Sequence, residues 1–224
     1  MIVVVGGTKG GSGKTTLATN IAAWLANEGK DFVLVDTDGS QASCAKWAER
    51  RNETRELPPE DGGNPNLVKI HCYQKTGNVF EAMRELENRY EIVLVDAGGA
   101  DSKELRTSIA AADKLLIPLR TSILDLETLD RLEEIVSQAM DAINPSLEVI
   151  GVLSQAPANP SMTEVSEARE FFKDYQFVTL NENVIRDRVT YRMCVRDGRG
   201  AVEMKNSTAK AEIQLLCQEV FENE

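Results

Sequence analysis

The sequence predicts an α/β fold in a single domain over residues 1–224, a mostly parallel twisted sheet flanked by helices. Three observations carry that prediction. Short, near-continuous aliphatic runs such as Ile92-Val93-Leu94-Val95 have the composition of strands buried on both faces. Longer segments between them repeat their apolar residues at helical spacing. Several of the runs end in glycine or aspartate, at the strand ends where open α/β sheets hold their ligands. With 42% hydrophobic content, 224 residues suit one core burying roughly 70–75% of the unfolded surface.

The first strand, residues 1–5, runs into Gly6-Gly7-Thr8-Lys9-Gly10-Gly11-Ser12-Gly13-Lys14-Thr15-Thr16. Glycines let the backbone turn its N–H groups inward as a nest for phosphate oxygens. A helix over 14–28 follows, with Leu17, Ile21, Trp24 and Leu25 on one face, and adds its positive end to the same point. Lys14 is placed to reach the β/γ-phosphates, and the Thr15 hydroxyl to ligate Mg²⁺. Thr8 stands where the strict G-x-x-x-x-G-K-[ST] pattern has its first glycine. Strand, nest, Gly-Lys-Thr and helix in one register still mark a P-loop NTPase.

A second buried strand, 31–36, ends in Asp36-Thr37-Asp38, and a helix over 41–51 follows. Residues 52–66, with Pro58-Pro59 and Gly62-Gly63, predict a long surface connection open to partners. A strand over 67–73 and a helix over 79–88 come next. The strand ending at Asp96 has the form of a Walker B segment, with Asp96 holding a Mg²⁺-bound water and Gly98-Gly99 close to a γ-phosphate. Beyond it the pattern gives a helix over 101–112, a strand over 114–119, a helix over 124–143 and a strand over 147–153. A loop over 154–160, a helix over 162–172 and a strand over 176–180 complete the alternation. A last helix over 207–224 turns Ile213, Leu216, Val220 and Phe221 inward, and its outer face is acidic.

Residues 185–199 differ from everything before them. Arg186, Arg188, Arg192, Arg196 and Arg199 stand against two aspartates in a chain of net charge −11. Such a cluster, interleaved with Tyr191, suits contact with a phosphate backbone. An ordinary solvated face accounts for the same residues equally well.

The run Lys9-Gly10-Gly11-Ser12-Gly13-Lys14-Thr15 resembles the deviant Walker A motif of the ParA/MinD family of dimeric ATPases. The resemblance implies ATP or ADP with Mg²⁺, bound by residues 9–16, including Thr16, and by Gly98. It implies that Lys9 reaches across a nucleotide-sandwich homodimer to the partner's ATP, so Lys9 and Lys14 are both catalytic. Asp36-Thr37-Asp38 is similar to the family's Walker A′ motif, with Asp38 on the attacking water and Asp36 in the metal's outer shell. The usual Pro-Gln continuation is replaced here by Gly39-Ser40-Gln41. The loop holding Pro157 corresponds to adenine contacts, with Ser154 where an asparagine is common. The chain is closest in pattern to short partition members, without a leading helix-turn-helix segment. That implies non-specific DNA binding through the arginine run and a ParB-type centromere-binding partner that stimulates hydrolysis. The expected place is the cytoplasm, on nucleoid or plasmid, with no membrane partner.

Two rival readings use the same fold. A MinD-like membrane-positioning ATPase is opposed by the acidic outer face of the last helix, since membrane-surface helices are usually basic. A small-molecule phosphotransferase or ligase would need a second substrate pocket and no response to DNA. No apolar run approaches a membrane span, and no signal-peptide pattern opens the chain. Cys44, Cys72, Cys194 and Cys217 form no C-x-x-C pair, which speaks against zinc, iron–sulfur and nitrogenase-reductase-type chemistry and for reduced thiols.

Overall fold

A computed structural model describes residues 1–121, 129–159 and 162–222. The sheet holds Ile2–Val5 (β1), Phe32–Asp36 (β2), Cys72–Gln74 (β3), Ile92–Asp96 (β4), Lys114–Leu119 (β5), Glu148–Leu153 (β6) and Thr179–Leu180 (β7). Its order is β3-β2-β4-β1-β5-β6-β7, and each adjacent pair is parallel. The chain leaves β1 toward one edge and later returns to its other side, so the direction of winding reverses at β1. A crevice opens where the order reverses, at the carboxyl end of that strand.

The helices are Lys14–Asn27 (α1), Ser43–Glu56 (α2), Phe80–Glu87 (α3), Lys103–Ala111 (α4), Leu129–Ala142 (α5), Glu164–Phe172 (α6), Val189–Arg196 (α7) and Ser207–Phe221 (α8). They form two layers, and β1 shows why. Its side chains alternate: Val3 and Val5 join the layer of α1, α2, α7 and α8, while Ile2 and Val4 join the layer of α3 to α6. The centre of the first layer is α1, buried almost all round from Leu17 to Ala26. Its alanines let neighbours approach, and Asn20 spends its polar atoms on the Thr16 carbonyl and the Ala201 N–H.

Most predicted elements appear within two or three residues of their expected ends, and the exceptions have identifiable causes. The helix expected over 41–51 continues to Glu56, because nothing in 52–56 interrupts it before Leu57-Pro58-Pro59. The predicted connection is correspondingly shorter. Residues 67–71 are not strand. Their backbone is held instead by α2 side chains, Arg51 Nε donating to the Val68 carbonyl and Asn52 bonding both polar groups of Ile70. The strand expected over 176–180 keeps only its last two residues, and the arginine run contains a helix, α7, that the charge pattern did not suggest. The expected start of α5 at Leu124, the loop end at Pro160 and the chain end at Glu224 lie outside the described residues.

Candidate active site

Three loops after β1, β2 and β4 meet over a cavity of about 770 Å³ lined by Gly10, Lys14, Thr15, Asp38, Asp96 and Gly98 among others. Gly13 takes a left-handed φ of 97°, turning the loop sharply before α1 begins at Lys14. Lys14 is 7% exposed, and its Nζ donates to the Lys9 carbonyl at 2.6 Å. Burial lowers its pKa, opposed by the nearby Asp96 and Asp38 carboxylates. The segment after β4 presses onto this loop at Gly99, where a Cβ would stand 2.9 Å from Lys14 Nζ and 3.1 Å from Gly10 Cα. A side chain there would have to displace the Lys14 ammonium and push on the Gly10 backbone.

Asp96 is buried, and its Oδ1 has no hydrogen-bond partner among the described residues. Burial pushes its carboxyl up to about 7, although a hydrogen bond from Thr15 works the other way. An orphaned carboxylate oxygen beside a threonine hydroxyl, at the wall of a phosphate-sized cavity, fits a small hard cation that favours oxygen ligands. Among the described residues no cluster of three His, Cys, Asp or Glu side chains could hold a metal alone. The donor set therefore suits an ion shared with nucleotide phosphates, as Mg²⁺ usually is.

The two aspartates at the end of β2, Asp36 within it and Asp38 just beyond, occupy different environments. Asp36 Oδ2 accepts the N–H groups of Cys44 and Ala45 at 3.0 and 2.9 Å, and its Oδ1 accepts that of Asp38. It anchors the first turn of α2 from below and does not line the cavity. Burial raises its pKa against those three bonds. Asp38 does line the cavity. Its Oδ1 accepts the Ser40 hydroxyl at 2.6 Å and the Ser40 and Gln41 N–H groups, which hold its pKa low and the carboxylate ionised.

A second cavity of about 440 Å³ adjoins the first across Gly13, Thr16 and Gln155, which line both. Leu17, Ile185, Tyr191 and Ile213 make it largely apolar. An apolar slot continuous with a phosphate nest is shaped for a nucleobase.

The structure takes the predicted arginine run apart. Arg186, Arg188 and Arg192 line the second cavity. Arg186 donates to the Pro157 carbonyl at 2.6 Å, and Pro157 itself lines neither cavity. Arg188 forms a forked pair with Glu212 of α8, which also accepts the Tyr191 hydroxyl. Arg199 is half-buried, and its carbonyl accepts the Trp47 indole N–H. Arg192 and Arg196 project from α7, paired with Asp187 and Asp197. Lys9 and Ser12 shape the phosphate loop through the Ser12 hydroxyl and Lys9 carbonyl, without lining the cavity.

Comparison with known proteins places this site in a family. The family model for the ATPase MipZ matches residues 1–147, from β1 through β5 and up to the start of β6. A carboxysome-distribution protein A from Gloeobacter kilaueensis is 30% identical over 93% of this chain and 87% of its own. The chromosome partitioning protein ParA of Myxococcus xanthus is 26% identical over 83% of this chain and 76% of its own. This chain belongs to the ParA/MinD-type ATPases. MinD in the Aquifex aeolicus MinC:MinD complex shares the fold, with a TM-score of 0.76 over 100% of this chain and 96% of that one at 18% identity.

Within this ATPase the cavity also includes residues that the motifs do not contain. Thr76 after β3, Glu104 in α4 and Gln155 after β6 all line it. Gln155 adopts a left-handed φ of 51° and donates to the Gly11 carbonyl at 3.1 Å. Its position at a strand end was the one available signal; Thr76 and Glu104 carried none.

Proposed function

We propose that this chain is an ATP-dependent partition protein that works as a homodimer. The observation that carries the reading is the convergence on one cavity of Lys14, the Thr15–Asp96 pair and an ionised Asp38. ATP lies with its phosphates in the cavity and its base in the apolar slot. Lys14 offers its charge to the β/γ-phosphates, and Asp38 orients the attacking water for in-line displacement. Asp36 supports that loop from the metal's outer shell. Thr15 and Asp96 hold Mg²⁺ against the phosphates, and the ion supplies neutralisation of the charge that develops there. Lys9, outside the cavity of its own protomer, reaches the nucleotide of the second copy. Closing the dimer sets two α7 helices on one surface, where Arg192 and Arg196 meet DNA phosphates without reading sequence. A ParB-type partner stimulates hydrolysis and releases the DNA, in the cytoplasm on nucleoid or plasmid.

A second reading changes only the cargo. The 30% identity to a carboxysome-distribution protein over 93% of this chain favours a protein assembly in place of a plasmid. No helix among the described residues is long and apolar enough to cross a membrane.

ATPase activity measured with and without duplex DNA tests the reading. The expected result is turnover that rises with DNA, and an Asp38→Ala variant that retains ATP and DNA while losing hydrolysis. Turnover indifferent to DNA, with no ATP-dependent DNA binding, would favour a small-molecule phosphotransferase.

A further inference from the structure

The ends of β5 and β6 reach back to the phosphate loop. Leu119 and Leu153 pair there, and the residues that follow them are Arg120, Ser154 and Gln155. Arg120 Nη2 donates to the Gly11 carbonyl at 2.6 Å, and Gln155 Nε2 donates to the same oxygen at 3.1 Å. The Ser154 hydroxyl donates to the next carbonyl, that of Ser12, at 2.8 Å. Ser154 is itself buried and fixed, its N–H donating to the Leu119 carbonyl at 2.7 Å. Neither Arg120 nor Ser154 lines the phosphate cavity. The peptide units they grip are trans, and in a trans unit the carbonyl and the N–H point opposite ways. Carbonyls of Gly11 and Ser12 drawn toward β5 and β6 therefore turn the N–H groups of Ser12 and Gly13 toward β4, on the other side of β1. Asp96 and Gly98, after β4, wall the cavity on that side.

We propose that Arg120, Ser154 and Gln155 are positioning residues, a clasp that holds the phosphate loop in its anion-receiving shape before phosphate arrives. The inference rests on the nucleotide reading of the cavity. Gly11 and Gly13 have left-handed φ values of 73° and 97°, and glycine leaves the backbone many other conformations. A loop held in one shape binds with its intrinsic affinity. One that takes that shape only part of the time binds more weakly by that fraction. Three side-chain donors on two successive carbonyls supply the restraint that the glycines do not. Gln155 also lines the apolar slot, so the clasp joins the wall of that slot to the phosphate nest.

Displacement of a fluorescent ADP analogue from the full chain, by MgADP and by magnesium pyrophosphate, tests the clasp, because pyrophosphate carries no base. Arg120→Ala should weaken both competitors by the same factor, roughly tenfold for the loss of a charged donor. Ser154→Ala should weaken both alike by a smaller factor. In ATPase assays of the same variants, KM for ATP should rise while kcat holds, since the nest serves ground state and transition state equally. Arg120→Lys, which keeps a donor, should recover part of the affinity, and Arg120→Met, which keeps only bulk, should recover none. Should the buried Ser154→Ala fold poorly, the exposed Arg120→Ala still decides the matter. Weakened ADP with pyrophosphate untouched would assign these residues to the base slot and overturn the inference. A fall in kcat with KM unchanged would make Arg120 a catalytic contact, and parent affinity in Arg120→Met would reduce it to packing; each overturns the clasp as well. A parent chain that binds no ADP refutes the nucleotide reading, and the clasp with it.

Discussion

The phosphate cavity and the arginine run both concentrate charge, yet they keep it in opposite states. Around the cavity, charges are left incompletely answered: Asp96 has an orphaned oxygen, and the buried Lys14 ammonium donates to the Lys9 backbone carbonyl. Along 185–199, three arginines are answered within the chain, Arg188 by Glu212, Arg192 by Asp187 and Arg196 by Asp197, and only Arg199 keeps a buried Nε without a partner among the described residues. Buried, partly satisfied groups store free energy that a ligand can release, whereas exposed pairs cost little to form or break. Chemistry is therefore expected at the first region, and only adjustable surface charge at the second.

The largest test of that contrast is Lys14→Ala. A fixed cation on the transferring phosphoryl group is worth on the order of 10³–10⁵ in rate. Steady-state ATPase assays should show at least the lower figure, and near-normal turnover would remove Lys14 from the chemistry.

The next effect concerns stability. Arg51 is fully buried between α2 and the 3₁₀ turn Ala201–Glu203, with Nη1 and Nη2 on the Glu203 carboxylate and Nη1 also on the Gly198 carbonyl. Removing one member of a buried pair strands the other, so Arg51→Ala should cost about 3–5 kcal/mol in urea unfolding. A cost below about 1 kcal/mol, as for surface pairs, would mean that Glu203 finds water.

The pH dependence of the nucleotide-free protein sharpens the same comparison. Asp96 stays protonated in the fold up to about 7, while in the unfolded chain it ionises near the ordinary 3.8. Between those values the folded state binds more protons, so this group's stabilisation is complete below about 3.8 and is lost as pH rises toward 7. The loss is about 1.4 kcal/mol per pH unit at most. Asp36, also raised by burial, acts in the same direction, and Asp38, held low by its Ser40 bonds, acts in the opposite one. Thermal melts of Asp96→Asn should flatten across that window, whereas Arg192→Ala should leave the curve as it is.

These regions also differ in how far they could be read beforehand. The phosphate loop was legible because strand, glycines and Lys14-Thr15 act in one local register. The sheet was legible for a similar reason, since β2 and β4 are aliphatic runs that need both faces covered. What escaped was set by partners distant in sequence. Arg51 meets Glu203 across 152 residues, and Arg188 meets Glu212 across 24. A count of charges over 185–199 cannot include Glu212, and so it overstated the free positive surface. The split between Asp36 and Asp38 was equally hidden, because it depends on where the first turn of α2 presents its N–H groups.

The smallest intrinsic effect belongs to the exposed α7 pair, and it decides what that surface is for. The Arg192 and Arg196 side chains are 63% and 78% exposed, so their pairs with Asp187 and Asp197 contribute little to the fold. Replacing both with alanine should change unfolding free energy by no more than about 0.5 kcal/mol. DNA binding reads the same variant much more sensitively. If a closed dimer presents two such helices and neutralises about four phosphates, log affinity should fall with log salt at a slope near −3.6. Backbone contacts position without specifying, so the double variant should weaken every duplex alike and flatten that slope, and Arg196→Ala, outside both cavities, should do so in part with basal turnover unchanged. Should the parent chain with ATP fail to bind DNA even at about 50 mM salt, these arginines are answered by their aspartates alone. The face of α7 would then be a solvated one.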